Sequence, residues 1–339
     1  METNTKELYS ADTAPELLFG LLRARVLSSA ICTTAELGIA DHLTNGPVHV
    51  SDLARATGSH EESLYRLLRC LAAAGIFEEA EKGLFSQTPV SEALRSSSLN
   101  SFRAGAIMDG QDWFTRPIDG LIHSVRTGGS AFDQIFGMSW VEYFREHRES
   151  SAAFNAGMEA TTVQLESAVF DRYDFSWAET IADVGGGTGS FLAGILERNP
   201  DARGILAELE EVAEPARRNL EERGLSERCE VIEVDMFASL PFRANVCILK
   251  RVVHDWPDEE AIKILTNCRD VVAPTGRILV VEPVVTGFFS ALIDVLMLAF
   301  GGRERTSEDF ERLFSASGLE VSRIVSITRF VSVVEGTLG

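Results

Sequence analysis

The chain has 339 residues, long enough for two domains, and its 45% hydrophobic fraction supplies sizeable cores. Its 51 acidic against 31 basic residues leave a formal charge of −20, which argues against a nucleic-acid backbone or an anionic membrane surface as partner, because both are held by clustered Lys and Arg. The five cysteines (Cys32, Cys70, Cys229, Cys247, Cys268) are odd in number and widely spaced with no C-x-x-C, so reduced thiols in a cytoplasmic protein are expected rather than a zinc knuckle or a disulfide framework.

The opening "METNTKELYSADTAPE" lacks the basic-then-apolar order of a leader peptide, and no apolar run is expected to reach the ~18 residues of a membrane span. Residues 1–100 read as the first domain. "PELLFGLLRARVLSSAICTTAELGIADHL" has apolar residues at helical spacing. "VSDLARATGS" reads as a short helix opened by Ser51, and Ser59 as the cap of "HEESLYRLLRCLAAAGIF". "FEEAEKGLFSQTPVSEALR" reads as a hairpin turning at Glu81-Lys82-Gly83, then a helix. Helix, turn, helix and hairpin is the winged-helix pattern. Its recognition helix sets Arg66 and Arg69 against Glu61 and Glu62, so a dimerising role is preferred to DNA binding.

Residues 101–172 read as a helical linker rich in aromatic and Met residues. Phe154 and Met158 share a helix face at i and i+4. Such stripes are most often core; the functional reading is the wall of a pocket for a flat organic substrate. Trp113, Phe154, Met158 and, further on, Met297 are the candidates.

Residues 173–339 alternate apolar strand runs ("TIADVGG", "ARGILAEL", "CEVIEVDM", "ANVCILKRV", "GRILVVEPV") with helical patterns, which predicts a doubly wound, Rossmann-like parallel sheet covered on both faces. Two late strands, "EVSRIVSI" and "RFVSVVEG", read as an antiparallel edge. "FFSALIDVLMLAF" reads as a buried helix.

"DVGGGTGSF" follows the first of these strands and opens a helix. Gly185, Gly187 and Gly189 give G-x-G-x-G after Asp183; the dinucleotide pattern needs Gly or Ala where Ser190 stands, which counts against a nicotinamide dehydrogenase. Such a turn suits a nucleoside with an aminoacyl tail: glycines let the backbone approach the ligand, and Asp183 can hold an ammonium. Glu208, at the end of the second strand, can accept from both ribose hydroxyls. Asp235 can take an adenine amino group while Met236 packs on the ring. In "VVHDWPDEEA", His254 lies just past the fourth strand, where open α/β sheets bind ligands. Asp255 reads as a cap for the helix "PDEEAIKIL", with Pro257 in its first turn. The remaining histidines form no metal-like spacing, and no metal is expected.

With these residues in view, the chain resembles the small-molecule O-methyltransferases that use S-adenosylmethionine, the family of plant caffeate and isoflavone enzymes and bacterial polyketide and phenazine tailoring enzymes. The resemblance runs through "FNAGM", "DVGGGTG", "VDMF", "LKRVVHDWPDE" and "GGRERTSEDF". It implies His254 as general base, flanked and oriented by Glu282 and Glu304, with cofactor contacts at Asp183, Gly185, Glu208, Asp235, Met236 and Lys250. Glu208 departs from the family's usual Asp. Between "VVEPV" and "ALIDV" only "VTGFFS" replaces a longer polar loop. The resemblance implies a homodimer methylating a phenolic hydroxyl of an aromatic or polyketide-type metabolite. A relative that uses the cofactor for a non-methylating step is the runner-up, and a winged-helix nucleoside sensor comes third.

Overall fold

The computed structural model describes residues 13–98 and 101–339, with backbone alone for 161–165. The stretch 1–12, read as carrying no leader, lies outside the described residues. By its internal contacts the chain forms two compact units: residues up to 116 with Val141–Gln164, and Pro117–Trp140 with Leu165–Gly339. Residues 101–172, set apart in the sequence reading, are thus divided between the two.

In the first unit, helix α1 (Ala14–Glu36) leads to helices α2 (Ile39–His42), α3 (Val50–Thr57) and α4 (Glu61–Ala73). Strands β2 (Phe77–Glu81) and β3 (Leu84–Gln87) form the expected hairpin across Lys82-Gly83, and β1 (Val48–His49) joins it in the order β1-β3-β2. Leu53, Leu64, Leu68, Leu71, Phe77 and Phe85 close this core. The helix caps differ from expectation. His49 caps α3, its ring nitrogen accepting from Ser51 N, and α4 starts from His60. Helix α1 also departs from expectation: despite Arg23 and Arg25 it is long and apolar enough to cross a membrane, by length and composition alone. Leu18, Phe19, Leu22 and Val26 stand exposed along it.

The second unit is built on one seven-stranded sheet. Its strands are β4 (Thr180–Val184), β5 (Arg203–Glu208), β6 (Cys229–Glu233), β7 (Ala244–Lys250), β8 (Val272–Glu282), β9 (Leu319–Thr328) and β10 (Val331–Leu338). They lie in the order β6-β5-β4-β7-β8-β10-β9. The first five are mutually parallel, and β10 is antiparallel to both β8 and β9. Successive side chains of a strand face opposite ways. Ala182, Val184, Cys247, Leu249, Ile278 and Val280 therefore enter one core with the helices 258–271 and 307–316. Ile181, Val246, Ile248, Leu279 and Val281 enter the other with Leu192 and Ile195 of the helix 190–198.

The helix Phe288–Phe300 was expected to be buried and is not. Its inner side packs on the helix Ala131–Phe136, where the Phe132 and Phe300 ring centres lie 5.6 Å apart. Phe288, Leu292 and Val295 recur at i, i+4 and i+7 on one face and are 75%, 53% and 46% exposed. The helix Leu121–Thr127 also packs on it, yet the face of Phe288, Leu292 and Val295 stays uncovered.

Candidate active site

The sheet order carries the predicted residues to one edge. At the C-terminal ends of β6, β5, β4, β7 and β8 stand, in spatial order, Asp235, Glu208, the Asp183–Gly189 turn, Lys250 with His254, and Glu282. The register fixes this: Glu208 pairs with Glu233, Ala207 with Val184, and Lys250 with Val281, one residue before Glu282. Strand β4 has β5 on one side and β7 on the other, so the glycine turn sits where the winding reverses, the usual ligand crevice of such sheets.

His254 lies in a short 3₁₀ turn, Val253–Asp255, and is 8% exposed. Glu304 Oε1 is 2.8 Å from His254 Nδ1. A carboxylate only accepts, so Nδ1 carries the hydrogen and Nε2 is left as the basic nitrogen. Glu282 acts one step back from the ring. Its Oε1 accepts from the backbone N–H of Val252 (2.9 Å) and of His254 (3.1 Å), so it fixes the turn rather than a ring nitrogen. Asp255 does not cap the following helix, whose N-cap is Pro257; its Oδ1 instead lies 3.6 Å from His254 Nε2. Burial opposes charge on His254, but Asp255, Glu282 and Glu304 outweigh it and push the imidazole up to about 9. Burial likewise pushes Glu282 up to about 7, against the pull of His254.

Two residues that the sequence reading passed over complete this turn. Arg305, 1% exposed, donates to Val253 O and Trp256 O, both at 2.8 Å, and to Asp258 Oδ1 at 2.9 Å. Its signal was present, because it sits beside Glu304 in "GGRERT". Arg251 has φ +53°, the one positive value outside glycine among the described residues, a conformation that side chains resist. It stands between Lys250 and the histidine turn, with its backbone N–H on Val281 O at 3.3 Å.

Comparison with known proteins settles the family. Residues 119–320 match the O-methyltransferase domain, and residues 19–97 the O-methyltransferase dimerisation domain. The phenazine O-methyltransferase PhzM of Lysobacter antibioticus is 37% identical, the match covering 94% of this chain and 95% of that protein. The solved structure of CalO1, a methyltransferase of calicheamicin biosynthesis with S-adenosylhomocysteine bound, superposes with a TM-score of 0.87 at 34% identity, over 97% of this chain and all of that one. The chain belongs to the S-adenosylmethionine-dependent O-methyltransferases. One further relative, the aclacinomycin 10-hydroxylase RdmB of Streptomyces purpurascens, is 35% identical over 93% of this chain and 87% of its own, so a shared fold alone does not fix the reaction. The match to the O-methyltransferase domain, with the relatives that bear that name, does.

The methyltransferase's glycine turn fits an adenosyl cofactor. Both carboxylate oxygens of Asp183 are buried without a partner. Gly187 has φ +60° and a Cβ there would meet nothing within 4 Å, so the backbone borders open space that a side chain would fill. A Cβ at Gly185 would meet Val252 at 3.0 Å and Met236 Sδ at 3.9 Å, which places Met236 over the turn. Burial, reinforced by Asp183, pushes Glu208 up to about 7. Asp235 is exposed and its Oδ1 accepts from Phe237 N at 2.9 Å. Lys250 Nζ donates to Glu166 Oε1 at 2.8 Å. An edge this rich in carboxylates suits a cationic nucleoside.

The acceptor candidates fall in different units. Trp113, Phe154 and Met158 belong to the first. There Phe154 stacks on Phe144 at 4.8 Å, and Trp113 meets Phe144 edge-on at 4.9 Å. The Trp113 indole N–H is buried without a partner. Met297 belongs to the second unit, and its Cε would lie 2.7 Å from a Cβ at Gly302, beside the His254 carbonyl.

Proposed function

We propose that the enzyme methylates a phenolic hydroxyl of an aromatic or polyketide-type metabolite, with His254 as general base. The observation that carries this reading is the 2.8 Å bond from Glu304 to Nδ1 in a buried turn whose backbone is held by Glu282. Bound S-adenosylmethionine supplies an electrophilic methyl group on a sulfonium. Asp183, Gly185, Gly187, Glu208, Asp235, Met236 and Lys250 would hold its adenosine and aminoacyl parts. His254 Nε2 takes the acceptor's hydroxyl proton, and Glu304 stabilises the imidazolium that forms.

A base must be neutral before it acts. Asp255, Glu282 and Glu304 favour the protonated imidazole, so the neutral base becomes available as pH rises. The aromatic cluster of Trp113, Phe144 and Phe154 in the first unit suits a flat acceptor, as do the phenazine and calicheamicin assignments in the relatives' names. We read the protein as a cytoplasmic homodimer joined through its N-terminal, winged-helix-like domain, in keeping with the match to the dimerisation domain and with the charge of −20.

The test is transfer of a radiolabelled methyl group to a panel of phenols and hydroxylated aromatic acids. His254→Ala should lose roughly 10²–10⁴-fold in rate, the usual worth of a general base. Undiminished transfer by that variant removes the assignment.

A further inference from the structure

Asp183 poses a question that its own motif does not answer. Its carboxylate is 0% exposed and both oxygens lack a partner, although an ammonium group stands close enough to act on it. That ammonium belongs to Lys250, at the end of the adjacent strand β7. Lys250 is already engaged, because its Nζ donates to Glu166 Oε1 at 2.8 Å and lies 5.3 Å from the centre of the Phe191 ring. Glu166, on the helix Arg148–Arg172, is 8% exposed, and no motif of the chain contains it. Burial pushes Asp183 up to about 7, Lys250 pulling it down and Glu166 pushing it up. The three groups therefore act on one another, two acids against one base.

Such an arrangement is costly in an empty protein, because an unpaired buried carboxylate loses its hydration with nothing in return. It becomes favourable when a zwitterion arrives. An aminoacyl tail brings one ammonium and one carboxylate, which complete an alternating set with Asp183 and Lys250. Without Glu166, Lys250 would be drawn to Asp183 and would occupy the place the ligand's ammonium needs.

We propose that Glu166 is a positioning residue for the cofactor's aminoacyl tail: by holding Lys250 it keeps Asp183 unpaired and open to the tail's ammonium. The proposal rests on the reading of Asp183 and Lys250 as cofactor contacts. Glu166 acts through Lys250 and needs no contact with the ligand.

Two ligands separate this role from a structural one. S-adenosylhomocysteine carries the tail; 5′-methylthioadenosine has the same nucleoside and thioether without it. Calorimetric titration of the intact enzyme should find Glu166→Gln binding S-adenosylhomocysteine about 10-fold or more weakly, the scale of a lost charge-assisted contact, with methylthioadenosine affinity within about twofold. Glu166→Asp should recover part of the loss. The melting temperature of ligand-free Glu166→Gln should rise, because the freed Lys250 pairs with Asp183, whereas a purely structural glutamate would lower it when removed. Unchanged S-adenosylhomocysteine affinity, or equal weakening of both ligands with a lower melting temperature, overturns the proposal. Asp183→Asn and Lys250→Met test the underlying reading separately: if neither weakens S-adenosylhomocysteine, the cofactor assignment itself falls. If both do and Glu166→Gln does not, only the role of Glu166 falls.

Discussion

At the scale of single residues, the site is governed by carboxylates placed where burial makes them act strongly. Glu304 and Glu282 both serve His254, but in different ways. Glu304 meets the ring and sets which nitrogen is basic, while Glu282 meets two backbone amides and holds the turn. The raised pKa of His254, about 9, has a sign that can be followed. Below that value the free enzyme carries an imidazolium, so kcat/KM should climb as pH rises toward 9. Glu304→Gln removes one negative charge while its amide oxygen can still accept from Nδ1. The imidazolium is then less favoured, and the rising limb should move to lower pH by about one unit. The plateau kcat should fall about 10-fold or more, because the charge forming on the ring is less well stabilised. A pH–rate series from 6 to 10 checks this; a limb that stays in place would show that Glu304 does not tune the base.

At the scale of elements, one ten-residue segment does several jobs within two turns of chain. Gly302 passes so close to the histidine turn that a Cβ would lie 2.5 Å from His254 O, and Arg303 N donates to that same oxygen at 2.8 Å. Glu304 reaches the ring, Arg305 ties Val253, Trp256 and Asp258 together, and Thr306 caps the next helix by accepting from Asp309 N. Arg305 O also accepts from Val285 N at 2.9 Å, which joins the segment to the chain leaving β8. Three stretches distant in sequence, 252–258, 282–285 and 302–306, are thereby fixed as one body. Arg305→Lys keeps the charge but cannot fork between two carbonyls and a carboxylate. It should lower stability by roughly 2–3 kcal/mol and kcat by about 10-fold or more, since buried charged donors are costly to lose. Thermal denaturation and steady-state kinetics read both, and a variant that matches wild type in each would make Arg305 a bystander.

At the scale of the whole molecule, two apolar surfaces are left uncovered: the α1 face of Leu18, Phe19, Leu22 and Val26, and the Phe288, Leu292 and Val295 face. Exposed apolar stretches of this kind mark association sites, and the dimerisation-domain match covers the first from residue 19 onward. Sedimentation equilibrium should give twice the 37.1 kDa chain mass. Leu18→Glu with Leu22→Glu should shift the species toward monomer, since each buried Leu is worth about 1.5–3 kcal/mol in the interface and a charge reverses its sign. A wild-type monomer, or a variant dimer as tight as wild type, would contradict the assignment of this face.

The sequence by itself determined the architecture and the turn proposed to hold the cofactor. Alternating apolar strands and helices specify a doubly wound sheet whatever the details of packing. A strand, a glycine turn and a helix point to where a nucleoside would sit, because that signal is local: Asp183, Gly185 and Gly187 are neighbours in the chain. What local pattern cannot carry is the meeting of distant segments. Only the tertiary structure decided that Asp255 turns toward His254 instead of capping a helix, that Glu282 holds backbone rather than ring, and that Phe288, Leu292 and Val295 stay exposed. Glu166 is the plainest case. One of three glutamates on a 25-residue helix, it resembles any solvated acid, and its pairing with Lys250, 84 positions away, exists only in the folded chain. Electrostatic free energy depends on distance and burial, and neither is set until the chain has folded.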